Sequence, residues 1–147
     1  MTESRFSLVD VAVADDVRQE STGKLLIIGM YLGSIIATSV PILLPTLAFI
    51  TKWSSPDGSL PAGTYGIVGP DGSVVGRTSA APVAAGPPVP WIIAVNKFTP
   101  VRLEKIGIYH WTFTPKGGRA RTLTKFTVGL LEAAPDGSPD RIVLAPD

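Results

Sequence analysis

Few side chains in this sequence could do chemistry. There is no cysteine, which excludes thiolate zinc sites, disulfide frameworks and cysteine nucleophiles. There is one histidine, His110. As a general base it would need a nucleophile and an orienting acid beside it. No Gly-x-Ser-x-Gly elbow supplies that nucleophile, and strand alternation sets His110 opposite its aromatic neighbours, facing solvent. Asp15, Asp16 and Glu20, with Arg18 and Lys24, form the one concentration of titratable groups of mixed sign. Paired carboxylates can share a proton or hold a hard cation. Asp15 and Asp16 are adjacent, however, and on a strand they point to opposite faces. The other reading is a strand-to-strand connection whose charges pair with one another. Gly63, Gly66 and Gly69 match neither nucleotide fingerprint, and no histidine pair has zinc-ligand spacing. No catalytic residue, metal or cofactor is assigned, and the chain is read as not an enzyme.

The remaining charged feature is basic. Residues 97–125 hold one acid and seven bases, whereas residues 1–20 and 126–147 each sum to −3. The net charge of +1 conceals this asymmetry. The basic block centres on Lys116-Gly117-Gly118-Arg119-Ala120-Arg121, with Lys125 beyond. Its glycines make it a hairpin loop. Lys116, Arg119, Arg121 and Lys125 are candidates for contact with phosphate or another anion, nucleic acid included. Trp111 and Phe113 fall on the core side, so the aromatic interleaving that strengthens a nucleic-acid reading is missing. The other reading is a solvated loop tip, dispensable for folding.

The elements that would position these groups are strands. The 147 residues suit one domain, 1–147, and 45% hydrophobic content with 17% charged excludes a disordered chain. Fifteen glycines and 14 prolines are too many breakers for a helical bundle. Pro-Asp-Gly-Ser occurs at 56–59, 70–73 and 135–138. In each copy proline presets φ, aspartate follows, and glycine accepts positive φ, so each reads as a hairpin turn. None has the ligand set of a calcium loop. Strands are expected at 6–14, 24–32, 46–53, 64–69, 73–78, 90–96, 98–103, 105–114, 121–133 and 140–145, with a short helical turn allowed in 40–45 or 79–89. Alternation is clearest where Tyr109, Trp111 and Phe113 share one face, and Phe126, Val128 and Leu130 another. The fold class is all-β: an antiparallel sandwich of eight to ten strands, immunoglobulin-like or jelly-roll-like.

Leu25 to Thr51 is 27 residues without a charge, long enough to cross a bilayer. Pro41 and Pro45 break it, Gly29 and Gly33 dilute it, and its β-branched residues favour strands. No membrane span is expected. The first ten residues lack the apolar core of a secretory signal, so a cytoplasmic location, or a virion if phage-derived, is expected.

Residues 14–31 carry Asp15-Asp16-x-Arg18-x-Glu20, then Gly23-Lys24, then Ile28-Gly29-x-Tyr31. This skeleton resembles an uncharacterised family of small bacterial domains. The resemblance spans about residues 8–50 and reappears at Gly107-x-Tyr109-x-Trp111-x-Phe113. It implies a single β-sandwich with no assigned activity, and a structural role for Asp15, Asp16, Arg18, Glu20, Gly23, Lys24, Gly29 and Tyr31. The Gly-x-Tyr step is also similar to the penultimate strand of immunoglobulin-like sandwiches, where a tyrosine hydroxyl bonds backbone at a sheet corner. Tyr109 is that candidate, and an ordinary core aromatic is the alternative.

The function expected is a non-enzymatic protein-interaction or structural module, with a protein partner or a homo-oligomer. One alternative is a carbohydrate- or small-ligand-binding sandwich with Trp53 or Trp91 as a platform. Another is a phage- or virion-type assembly component. The contact is expected at Ile36, Val40, Ile42 and Leu43. Adjacent apolar pairs there leave both faces of a strand apolar, and a small sandwich has one interior. The competing reading folds that stretch back over an open end of the sandwich.

Overall fold

A computed structural model describes residues 6–84, 91–134 and 136–143. Alternating apolar runs and turn residues produce twelve strands and no helix among these residues. They are β1 (Ser7–Gln19), β2 (Leu25–Tyr31), β3 (Ser34–Ala37), β4 (Ile42–Leu44), β5 (Leu47–Ser54), β6 (Gly63–Val68), β7 (Val74–Ala80), β8 (Ile92–Phe98), β9 (Val101–Leu103), β10 (Gly107–Pro115), β11 (Arg121–Glu132) and β12 (Arg141–Val143). One antiparallel sheet has the order β2-β1-β5-β8. A second has the order β12-β11-β10-β6-β7, and β3 joins it parallel to β11. β4 and β9 pair separately. The fold is an all-β sandwich.

The core is aromatic. Trp111 of β10 is fully buried. Its ring stacks on Phe49 of β5 at 4.3 Å and on Tyr65 of β6 at 5.3 Å, so one side chain ties the two sheets together. Tyr109 stacks on Phe126 at 5.4 Å, and Trp53 meets Phe6 edge-on at 5.5 Å. The Tyr109 hydroxyl donates to the Lys105 carbonyl at 2.7 Å, a bond to the backbone just ahead of its own strand. The Tyr65 hydroxyl faces Thr51, Asn96 and Trp53, and burial pushes its phenol above the ordinary value.

The Pro-Asp-Gly-Ser turns form as their residues dictate. Gly58 N bonds Ser55 O at 3.1 Å and Gly72 N bonds Gly69 O at 3.0 Å, with glycine φ of +72° and +83°. Each aspartate is used within its own turn: Asp57, Asp71 and Asp136 accept from the backbone N–H of Ser59, Ser73 and Ser138. The turn at 70–73 closes the β6–β7 hairpin, and 136–138 lies between β11 and β12. Pro135 is outside the described residues. The copy at 56–59 is not a hairpin, because it carries the chain from β5 in one sheet to β6 in the other. The aspartate-to-serine bond recurs in all three, and the flanking strands decide the topology.

Other expectations change too. Residues 15–19 continue β1 rather than forming a connection. The 34–47 stretch holds β3 and β4, which no strand was expected to occupy, and no helical turn forms at 40–45. Residues 79–84 hold no helix, and 85–89 lie outside the described residues, as do Pro90 and residues 144–145 of two expected strands. The strand expected at 98–103 divides, its first residue ending β8 and its last three forming β9.

Candidate interaction surface

The acidic-basic skeleton builds the β1–β2 hairpin. Gly23, at φ +82, closes its turn, with Gly23 N bonded to Glu20 O at 2.9 Å and Glu20 N to Lys24 O at 2.8 Å. Further along, the ladder sets Asp16 opposite Ile28 and Ala14 opposite Met30, which places Asp15 beside Gly29. Gly29 has φ +64, and the Asp15 carboxylate fills the space a Cβ would take. Tyr31 donates its hydroxyl hydrogen to that carboxylate. Burial, and then the Asp15 charge, hold the Tyr31 phenol well above its ordinary range. Asp16 points to the opposite face, as adjacent strand residues must. There it pairs with Lys97 at 2.9 Å and with Arg18 at 3.4 Å. The Lys97 hydrogen bond in particular holds the Asp16 carboxyl below the usual range. The two carboxylates therefore do not converge. Among the described residues, no group of three or more acidic or histidine side chains could hold a metal ion.

This hairpin carries an uncharged edge. β2 lies at the end of its sheet and pairs with β1 alone among the described strands. Its sequence, Leu-Leu-Ile-Ile-Gly-Met-Tyr, has no charge and no proline, and Leu25 through Met30 are all exposed. Met30 is 54% exposed, and Leu32, just beyond, is 89% exposed. The outer face of the same sheet mixes small and apolar residues with the Asp16–Lys97 pair. Ladder partners Met30, Ala14, Ala48 and Lys97 form one row, and Ala12, Ile50 and Val95 the next. Ala14 and Ala48 are fully buried there, in a small cluster with Val17 and Ile50 that is separate from the main core. Beyond these rows, Lys52 lies over the exposed Trp91 ring at 4.2 Å.

The residues expected to make the contact are divided. Ile42 packs against the main core, as does Leu44, and Ile35 is buried. Ile36 and Leu43 point outward, and Val40 is half-buried. The stretch thus alternates, one side in and one side out, and its adjacent apolar pairs do not make two exposed faces. β2, which the sequence reading passed over, presents more apolar surface. Its signal was Leu25-Leu26-Ile27-Ile28, four apolar residues with no polar alternate.

The basic candidates do not gather at one point. Lys116 and Arg119 stand at the exposed tip of the β10–β11 hairpin. Arg121 opens β11 and lays its guanidinium over the Phe6 ring at 4.7 Å. Lys125 pairs in register with His110, which also faces Val68, on the outer side of the second sheet. Trp53 is fully buried, so it offers no platform to a sugar. An open groove of about 310 Å³ runs beside Asp71, Arg102, Glu104, Lys105 and Tyr109. Its charges are paired internally, Lys105 with Asp71 at 2.8 Å and Arg102 with Glu104 at 3.0 Å.

The geometry defines a β-sandwich with one exposed apolar edge strand. A family of unknown function, DUF6941, matches residues 10–128, and the chain belongs to that family. Comparison with the curated proteins gave no match. Among solved structures, the chain is similar to the C-terminal domain of wzt, at 12% identity and a TM-score of 0.43, over 96% of this chain and 80% of that one. No helix among the described residues is long and apolar enough to cross a membrane.

Proposed function

We propose that this chain is a non-enzymatic protein-interaction module that binds through β2 and the adjoining outer face of the β2-β1-β5-β8 sheet. The observation that carries the reading is the uncharged, exposed edge strand. Edge strands present unpaired N–H and C=O groups, and proteins ordinarily blunt them with lysine, proline or a covering element. β2 has no lysine or proline along its seven residues, and among the described residues no strand pairs with its outer edge. An apolar edge left open in this way suits strand addition by a partner, in which main-chain bonds supply affinity and side chains supply selectivity. The Tyr109 corner bond supports an immunoglobulin-like subtype for the scaffold.

The test is recovery of partners from a lysate of the source cells on immobilised wild type and on an Ile28→Lys, Met30→Lys double variant. The expected result is at least one protein, a further copy of the chain included, retained by wild type and lost with the variant. Equal recovery on both would refute the reading.

A further inference from the structure

We infer that the occupant of the β2 edge is a second copy of this chain, paired β2 to β2 in antiparallel fashion about a two-fold axis. The inference rests on the interaction reading above and names its partner. β2 overhangs the sandwich, so Leu25 through Met30 are exposed whichever face they point to. A partner strand must therefore be apolar on both of its own faces, with an open edge. Among the described strands with an open edge, β2 is the one whose exposed apolar residues run along both faces; β4 is apolar too, but only Leu43 of it is exposed. β8, at the other edge of the sheet, packs Ile92 and Ala94 against the core and has only its outward side chains free.

An isologous contact asks for a self-complementary patch. An antiparallel pairing centred on Ile28 sets Leu26 of each copy opposite Met30 of the other and Leu25 opposite Tyr31, with no charged residue within the paired strands. It joins two four-stranded sheets into one of eight strands and removes both β2 edges, leaving β8 at each end. Leu25, Leu26, Ile27, Ile28, Met30 and Leu32 leave on the order of 500 Å² exposed per copy, so the pair buries at most about 1,000 Å², the lower bound of a specific interface. An interface of that size gives a concentration-dependent dimer.

The experiment is light scattering of the purified full chain across a wide concentration series, with amide hydrogen exchange at both ends of it. The expected mass rises towards twice the 15.4 kDa of the chain, and β2 amides gain protection with concentration. Ile28→Lys, Met30→Lys should remain at the single-chain mass. Ile108→Lys, which removes an exposed apolar residue from the other sheet, should dimerise like wild type. If the double variant unfolds, the wild-type mass and the exchange pattern decide by themselves. A wild type that is monomeric throughout, a dimer with β2 amides unprotected, or growth past the dimer by head-to-tail β2–β8 pairing would each overturn the inference. A monomer that still retains a different protein through β2 would overturn the self-pairing alone and leave the interaction reading standing.

Discussion

Gly29 shows how a single residue can be over-determined. Its φ of +64 is a conformation that costs an L-residue about 1–2 kcal/mol. The Asp15 carboxylate also occupies the space above it, so an added methyl would have to push that side chain off Tyr31. Gly29→Ala should therefore lower the unfolding free energy by about 2–3 kcal/mol, conformational strain plus the lost hydrogen bond. Urea denaturation with an unchanged m-value would measure it. In an Asp15→Ala background the same substitution should cost only the conformational part. A Gly29→Ala effect below about 0.5 kcal/mol would mean that β2 relaxes freely at this point. The Gly29–Tyr31 spacing was legible in the sequence, but the reason for it was not. Asp15 reads as a linker residue because aspartate is depleted in strands. It lies on a strand here because the hairpin overhangs the sandwich and keeps that carboxylate wet.

At the scale of elements, alternation located what faces the core. Tyr109, Trp111 and Phe113, and Phe126 with Val128, all turn inward as their spacing required. Short strands were missed for a physical reason. β3 and β4 have four and three residues, too few for a period to show, and each owes its existence to a distant partner, β11 and β9. The basic hairpin was read as uniform, and packing separates its members. Arg119 stands in solvent at the tip, and Arg119→Ser should change stability by no more than about 0.5 kcal/mol. Arg121 covers the ring of Phe6, which in turn packs on Trp53 and Phe113. Arg121→Ser should cost about 1 kcal/mol, through the lost cation–π contact and the aliphatic stem that shields the ring. Paired thermal melts of the two single variants check this, and equal midpoints would show that Arg121 contributes nothing to the core.

For the whole molecule, stability should depend on pH in opposite ways at its two limits. At the acid limit Asp16, Asp57, Asp71 and Asp136 are all held below the ordinary aspartate value of 3.8. The first-ranked causes are the Lys97 bond for Asp16, the Lys105 bond for Asp71, and the serine bonds within the turns for the other two. A lowered folded value contributes stability above the unfolded value, and that contribution is lost as pH falls below it. These groups lie at the surface, so the loss is gradual and weakened by salt. At the alkaline limit all three tyrosines of the chain, Tyr31, Tyr65 and Tyr109, are raised above the ordinary phenol value of 10.0, burial being the first cause in each. A raised folded value gives stability that is complete below the unfolded value and is lost as pH climbs towards the folded one. The melting midpoint should therefore be level from near neutrality to about pH 10 and fall beyond it. Because all three tyrosines are raised, the native protein should show less phenolate absorbance than the urea-unfolded chain at a pH where the latter is half ionised. Tyr65→Phe should make the alkaline fall shallower, since it removes the phenol set deepest among Thr51, Asn96 and Trp53. A native titration curve that coincides with that of the unfolded chain would mean that these hydroxyls reach water and that the sandwich is looser around Trp111 than its stacked rings require.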